Sequence, residues 1–190
     1  MSTHAEVYSV NAAGLRSACG SKDSNLLDEF LEKNREYINA VDEGDAGDDW
    51  TCKTAVRALI FGSLPLGNSD PGGKFGYAYE VLCQSFGTRL HNLGPISGDF
   101  GKYVQTLDTK IAEIGVRFSL KDLCFRGPLI ELGPMRPRSF GYLKSEEIVA
   151  ARQTMDSLVR CTDFPERREL LQWLETSRAM PENVLVGAVN

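Results

Sequence analysis

The sequence predicts a helix-dominated α+β fold, one domain over residues 1–190, with about six helices packed on a small sheet and the N- and C-terminal strands paired. Three observations carry this. Apolar residues recur at helical spacing through most of the chain, β-patterned segments stand near both ends, and no β-helix-β alternation repeats, which argues against a doubly wound parallel sheet.

Residues 5–10 alternate β-favouring with polar side chains and read as the first strand. Asn11 caps a short helix that Gly20 ends. From Asp23 or Ser24 a longer helix carries Leu26, Leu27, Phe30, Leu31, Tyr37, Ile38 and Val41 on one stripe. It runs into residues 42–49, where five acids and two glycines make a solvated loop. Thr51 caps the next helix, with Cys52, Ala55, Val56, Leu59 and Ile60 inward and Gly62 at its end. Residues 63–73 are turn-rich. The helix that follows places Phe75, Ala78, Tyr79, Leu82, Cys83, Phe86 and Leu90 on one face, and Gly94-Pro95 breaks the chain. Asp99 caps a helix bearing Phe100, Tyr103, Val104, Leu107, Ile111 and Ile114. At Val116 the period changes to two, so 116–121 reads as a half-buried strand. Three prolines and two glycines make 126–140 a loop. Ser145 starts a helix with Glu146 and Glu147 at its positive end. Asp163 and Glu166 have capping-box spacing before a helix that buries Leu170, Leu171, Trp173 and Leu174. Residues 183–189 form the last strand.

Composition excludes several classes. With 42% hydrophobic and 25% charged residues the chain is neither collagen nor a long disordered tract nor a rod. Its longest run lacking both polar residues and glycine is four residues, 58–61, where a membrane span needs about 20. Residues 1–6 have neither a basic start nor an apolar stretch, so no secretory signal is expected and the expected compartment is the cytoplasm. Five cysteines at 19, 52, 83, 124 and 161 make neither a disulfide framework nor a metal motif, and buried thiols are expected. The net charge of −5 lies wholly in residues 1–95, and no nucleic-acid partner is expected of a chain with a pI near 5.1.

The catalytic motifs fail one by one. Gly73-Lys74 is followed by Phe75, and Asn68 stands where a P-loop needs its first glycine. The acidic loop fits no calcium-loop register, since Gly44 and Ala46, or Gly47 and Trp50, occupy required positions. Two histidines, His4 and His91, cannot make a zinc site with scattered cysteines, so no metal and no cofactor are expected. Two surfaces remain. Tyr77 and Glu80 share a helix face and can line a cleft between the glycine loop 67–76 and the basic segment 126–144, with His91, Arg126, Arg136 and Arg138 as further ligand-binding candidates. Asp42, Glu43, Asp45, Asp48 and Asp49 offer a docking surface for a protein partner with a basic surface.

Residues 140–149, Phe-Gly-Tyr-Leu-Lys-Ser-Glu-Glu-Ile-Val, resemble a strand-to-helix segment of the uncharacterised YfbM-like bacterial proteins and related small families of unknown function. Residues 50–62, 75–83, 125–128 and the opening strand followed by 15–23 are similar to their segments, although Lys144-Ser145 replaces Thr-Pro and the usual helix histidine is absent near Ala55 and Arg57. The resemblance implies an α+β fold and no catalytic residue. With no intact catalytic motif, the first reading is an interaction module such as an immunity protein or inhibitor of a basic partner. The alternative is an enzyme or small-ligand-binding protein using the cleft.

Overall fold

The structure, a computed structural model, describes residues 2–44, 50–63, 73–130, 132, 139–161 and 165–190. Among these it is α+β: ten helices and a five-stranded antiparallel sheet in which the first and last strands pair. The chain divides into two compact units, residues 1–11, 88–128 and 139–190 in one, and 12–87 and 129–138 in the other.

The first unit holds the sheet. Strands β1 (Ser2–Val10), β2 (Gly87–Arg89), β3 (Leu93–Ser97), β4 (Ser139–Leu143) and β5 (Val184–Val189) run in the order β2-β1-β5-β4, with β3 also pairing β1. β5 lies between β1 and β4: Gly187 faces Val7 on one side and Gly141 on the other. All six β5 residues are buried. The core contains Val7, Leu143 and Leu185 from the sheet and Ile111, Leu123, Ile148, Leu158, Trp173 and Leu174 from helices. Trp173 is fully buried, and its indole N–H donates to the His91 carbonyl at 2.9 Å, which satisfies its one donor.

The sequence reading of 93–97 and 116–121 needs correction. Gly94-Pro95 does not break the chain but sits inside β3, a strand that among the described residues pairs with β1 alone, an edge position that tolerates proline. Residues 116–119 are no strand, and Leu120–Phe125 is a helix. The alternation correctly marks the inward residues, because Val116, Phe118 and Leu120 are buried. The backbone donors, however, go to side chains. Arg117 N–H donates to Thr154 Oγ1, Leu120 and Lys121 N–H to the Asp108 carboxylate, and Asp122 N–H to Ser119 Oγ. A segment whose donors are taken this way has none left for a ladder.

Numbered in chain order, the helices of the sheet unit are α6 (Phe100–Glu113), α7 (Leu120–Phe125), α8 (Ser145–Gln153), α9 (Met155–Arg160) and α10 (Arg167–Ala179). Asp99 caps α6 by accepting from Lys102 N–H. Helix α8 starts one residue after Lys144, whose N–H donates to Glu147, and Thr154 divides α8 from α9 by bonding the Ala151 carbonyl. The capping role expected of Asp163 lies outside the described residues. Helix α7 lies against Gly141 and Gly187. A Cβ on Gly141 would stand 2.1 Å from the Asp122 carbonyl oxygen, and one on Gly187 2.4 Å from that of Leu123. Only glycine permits this approach.

The second unit holds α1 (Ala12–Ala18), α2 (Ser24–Lys33), α3 (Arg35–Gly44), α4 (Cys52–Phe61) and α5 (Lys74–Ser85). Thr51 caps α4, as its sequence position predicts, Asp23 and not Ser24 caps α2, and Gly62 ends α4 at φ 67°. The predicted single helix over 24–41 is instead two. Buried Asn34 turns its amide onto the Phe30 carbonyl and Ser85 Oγ, and the helix restarts at Arg35. Breaks at Asn34 and Thr154, with the short α7, raise the helix count above six.

Candidate functional site

Tyr77 and Glu80 lie one turn apart on α5, and the structure adds two neighbours the sequence reading missed. Lys74 precedes them by one turn, and its ammonium lies 5.9 Å from the Tyr77 ring centroid. Tyr37 of α3 places its ring 6.5 Å from that of Tyr77 and donates its hydroxyl proton to the Glu80 carboxylate. Lys74 and Glu80 are each 1% exposed. Full burial of a lysine and a glutamate is rare and demands compensating partners. The signal available in sequence was the i, i+3, i+6 row Lys74, Tyr77, Glu80. The neighbouring groups on α5 are held protonated. Burial, first, and the Glu80 charge push the Cys83 thiol up, and burial pushes the Tyr79 hydroxyl up; that hydroxyl accepts the Leu129 N–H at 3.1 Å. The cluster thus offers charge and hydrogen bonding, not a thiolate nucleophile.

His91 and Arg126 belong to the sheet unit, Tyr77 and Glu80 to the other. His91 is exposed, and its carbonyl holds Trp173. Arg126, at the end of α7, is committed internally. Its guanidinium donates to both oxygens of Glu147 at 2.6 Å and to Asp122 at 2.9 Å, and stacks 5.4 Å from the Tyr142 ring centre. The bond to Glu147 is the largest cause that raises the Arg126 pKa and lowers that of Glu147. This two-pronged clamp ties α7 to the first turn of α8. Arg136, Arg138 and residues 67–72 of the glycine loop lie outside the described residues.

Of the acidic-loop candidates, Asp42 and Glu43 end α3, while Asp45, Asp48 and Asp49 lie outside the described residues. Glu43 is exposed. Asp42 instead accepts from the Cys52 N–H at the start of α4. The acidic surface extends back along α2 and α3, where Asp23, Asp28, Glu29, Glu32 and Glu36 are also exposed. Against them stand Lys22, Lys33 and Arg35; Lys33 reaches the Ser85 carbonyl and Arg35 pairs with Glu32. Two open grooves of about 550 and 470 Å³ flank the α2–α3 break, sharing Glu32 and Arg35 on their walls. Such a surface attracts cationic groups over a screening length.

Another polar cluster lies on the sheet. Alternate β1 residues His4, Glu6 and Tyr8 stand in a row, with Glu6 accepting from Tyr8 and from Arg89 at 2.8 Å. Among the described residues no three histidine, cysteine or acidic side chains converge as a metal set, and no helix is long and apolar enough to cross a membrane.

The described residues thus combine an α+β fold, an acidic helix face and a Lys-Tyr-Glu row whose two charged ends are buried. The chain belongs to DUF7691, a family described as a domain of unknown function, whose model matches residues 1–188 across both units. Searches of the curated proteins and of the solved structures give no match.

Proposed function

We propose that the protein is a small bacterial cytoplasmic interaction module, an immunity protein or inhibitor that masks a basic partner. The observation that carries this is the exposed carboxylate surface of α2 and α3, from Asp23 to Glu43, whose facing cations are fewer and partly engaged. Asp42 and Glu43 stand at the end of this longer acidic strip. Electrostatic steering of this kind sets association rate and partner choice more than affinity. The test is capture from the native host with the wild-type chain and with a D28N/E29Q/E32Q/E36Q variant, followed by association kinetics of the purified partner against salt. A basic partner whose association slows in the variant, with a flatter salt dependence, supports the reading. Equal capture and kinetics with both chains defeats it.

The Lys74–Tyr77–Glu80 row, with Lys74 and Glu80 buried and Tyr37 beside them, supports a second reading, an enzyme or small-ligand-binding protein built around α5. Under it, K74M and E80Q chains that remain folded lose a ligand that the acidic-face variant keeps.

A further inference from the structure

We propose that the pocket at the joined ends of α1 and α4 binds a small apolar acid, with its apolar body on Leu59, Leu129 and Ile130 and its carboxylate on Arg16. This site is independent of the acidic strip. Its described walls belong to one unit: Arg16, Cys19, Gly20, Leu59, Gly62, Leu129 and Ile130 line an open pocket of about 380 Å³. Ligand sites typically span roughly 300–1,000 Å³ and combine apolar walls with a few placed polar groups.

The two glycines make part of the wall bare backbone. Gly20 and Gly62 have φ of 75° and 67°, and a Cβ on Gly62 would stand 3.3 Å from the Gly20 Cα. Three carbonyls at the end of α4 are engaged: Gly20 N–H donates to Leu59, Lys22 N–H to Ile60 and Ser63 N–H to Ala58, so that helix end offers a cation little that is open. The Cys19 thiol is pushed up to about 11 by burial and is therefore neutral at pH 7. Among the described residues Arg16 is the one charged wall residue, and its side chain makes neither an ion pair nor a hydrogen bond with any of them. A fork of unengaged donors above a neutral, apolar wall selects a carboxylate on an apolar body over a neutral molecule of the same shape. A cationic ligand would meet the guanidinium charge.

The test uses the full chain with octanoate and octanamide, which share a tail and differ in charge. Calorimetry should show octanoate binding about threefold to fivefold tighter than octanamide, the factor expected for one ion pair at an exposed arginine. Cys19 serves as an internal reporter and half-buried Cys161, in the other unit, as its reference. Octanoate should slow modification of Cys19 by methyl methanethiosulfonate, read by peptide mass mapping, and leave Cys161 unchanged. R16A, at an exposed position, should keep the wild-type denaturation midpoint and bind the two probes equally, and R16K should restore part of the preference. Equal affinity of the wild-type chain for acid and amide, an unprotected Cys19, or an R16A chain that keeps the preference would each overturn the proposal.

Discussion

Asp42 illustrates how a residue acquires its role only in the fold. In sequence it is one of five like charges in a loop that should contribute little to stability. In the structure it accepts the Cys52 N–H and holds the start of α4 beside the Thr51 cap. D42A should therefore cost about 1 kcal/mol in urea unfolding, the usual loss of a cap, while E43Q stays within about 0.5 kcal/mol. Arg126 is similar: its place in a basic segment suggests a ligand, whereas its guanidinium is engaged by Glu147 and Asp122. The Arg126 bond holds the Glu147 carboxyl below its usual pKa. A carboxylate depressed in the native state adds stability above its unfolded value of about 4.3, and that stability is lost as pH falls through the folded value. Asp108 has the opposite sign, because burial raises its pKa. Its protonated form favours the fold, so its contribution fades as pH rises through the raised value. E147Q should remove the Glu147 contribution, flatten the decline in stability below about pH 4.3 and cost about 1 kcal/mol at pH 7, since both partners are partly exposed. An unchanged acid limb would show the clamp to be energetically idle.

Among the elements, the caps and stripes were readable because they are local. Thr51, Asp99 and Gly62 each act within a few residues of their own position, and sequence places them correctly; of the two starts it offers for α2, Asp23 and Ser24, the first is the cap. What was illegible depends on distant partners. The 116–121 period of two is a true burial pattern, yet Asp108 and Thr154 take the donors that a strand would need. Asn34 breaks a continuous apolar stripe because Ser85, far along the chain, accepts its amide. The close seat of α7 on Gly141 and Gly187 was equally invisible, since sequence does not reveal that these glycines are register partners beneath one helix. G141A should lower stability by on the order of 3 kcal/mol or more, because the added methyl meets backbone oxygen and not a movable side chain. A loss below 1 kcal/mol in denaturant unfolding would mean that α7 shifts freely on the sheet.

For the molecule as a whole, the α+β class and the pairing of the first and last strands follow from sequence, while the buried Lys74, the Tyr37–Glu80 bond and the acidic strip along α2 and α3 required the fold. The thiols report on both units at once. Cys52, Cys83 and Cys124 are buried, and burial pushes Cys124 up to about 12, whereas Cys19 and Cys161 are only partly covered. Brief native-state modification with mass mapping should reach Cys19 and Cys161 and spare the other three until denaturant is added; early labelling of Cys52 or Cys83 would reveal opening of the helical unit. The position of β5 also has a consequence for synthesis. It is the central partner of β1 and β4 but follows both in the chain. On the ribosome, β1 and β4 emerge with their pairing edges open and cannot close the sheet until residues 184–189 have cleared the exit tunnel. Nascent chains arrested before Val184 should be protease-sensitive in the sheet unit and prone to edge-to-edge association, and arrest beyond the last strand should abolish both. Closure is thus timed by translation: the strand that joins the two halves of the sheet is delivered after both of them.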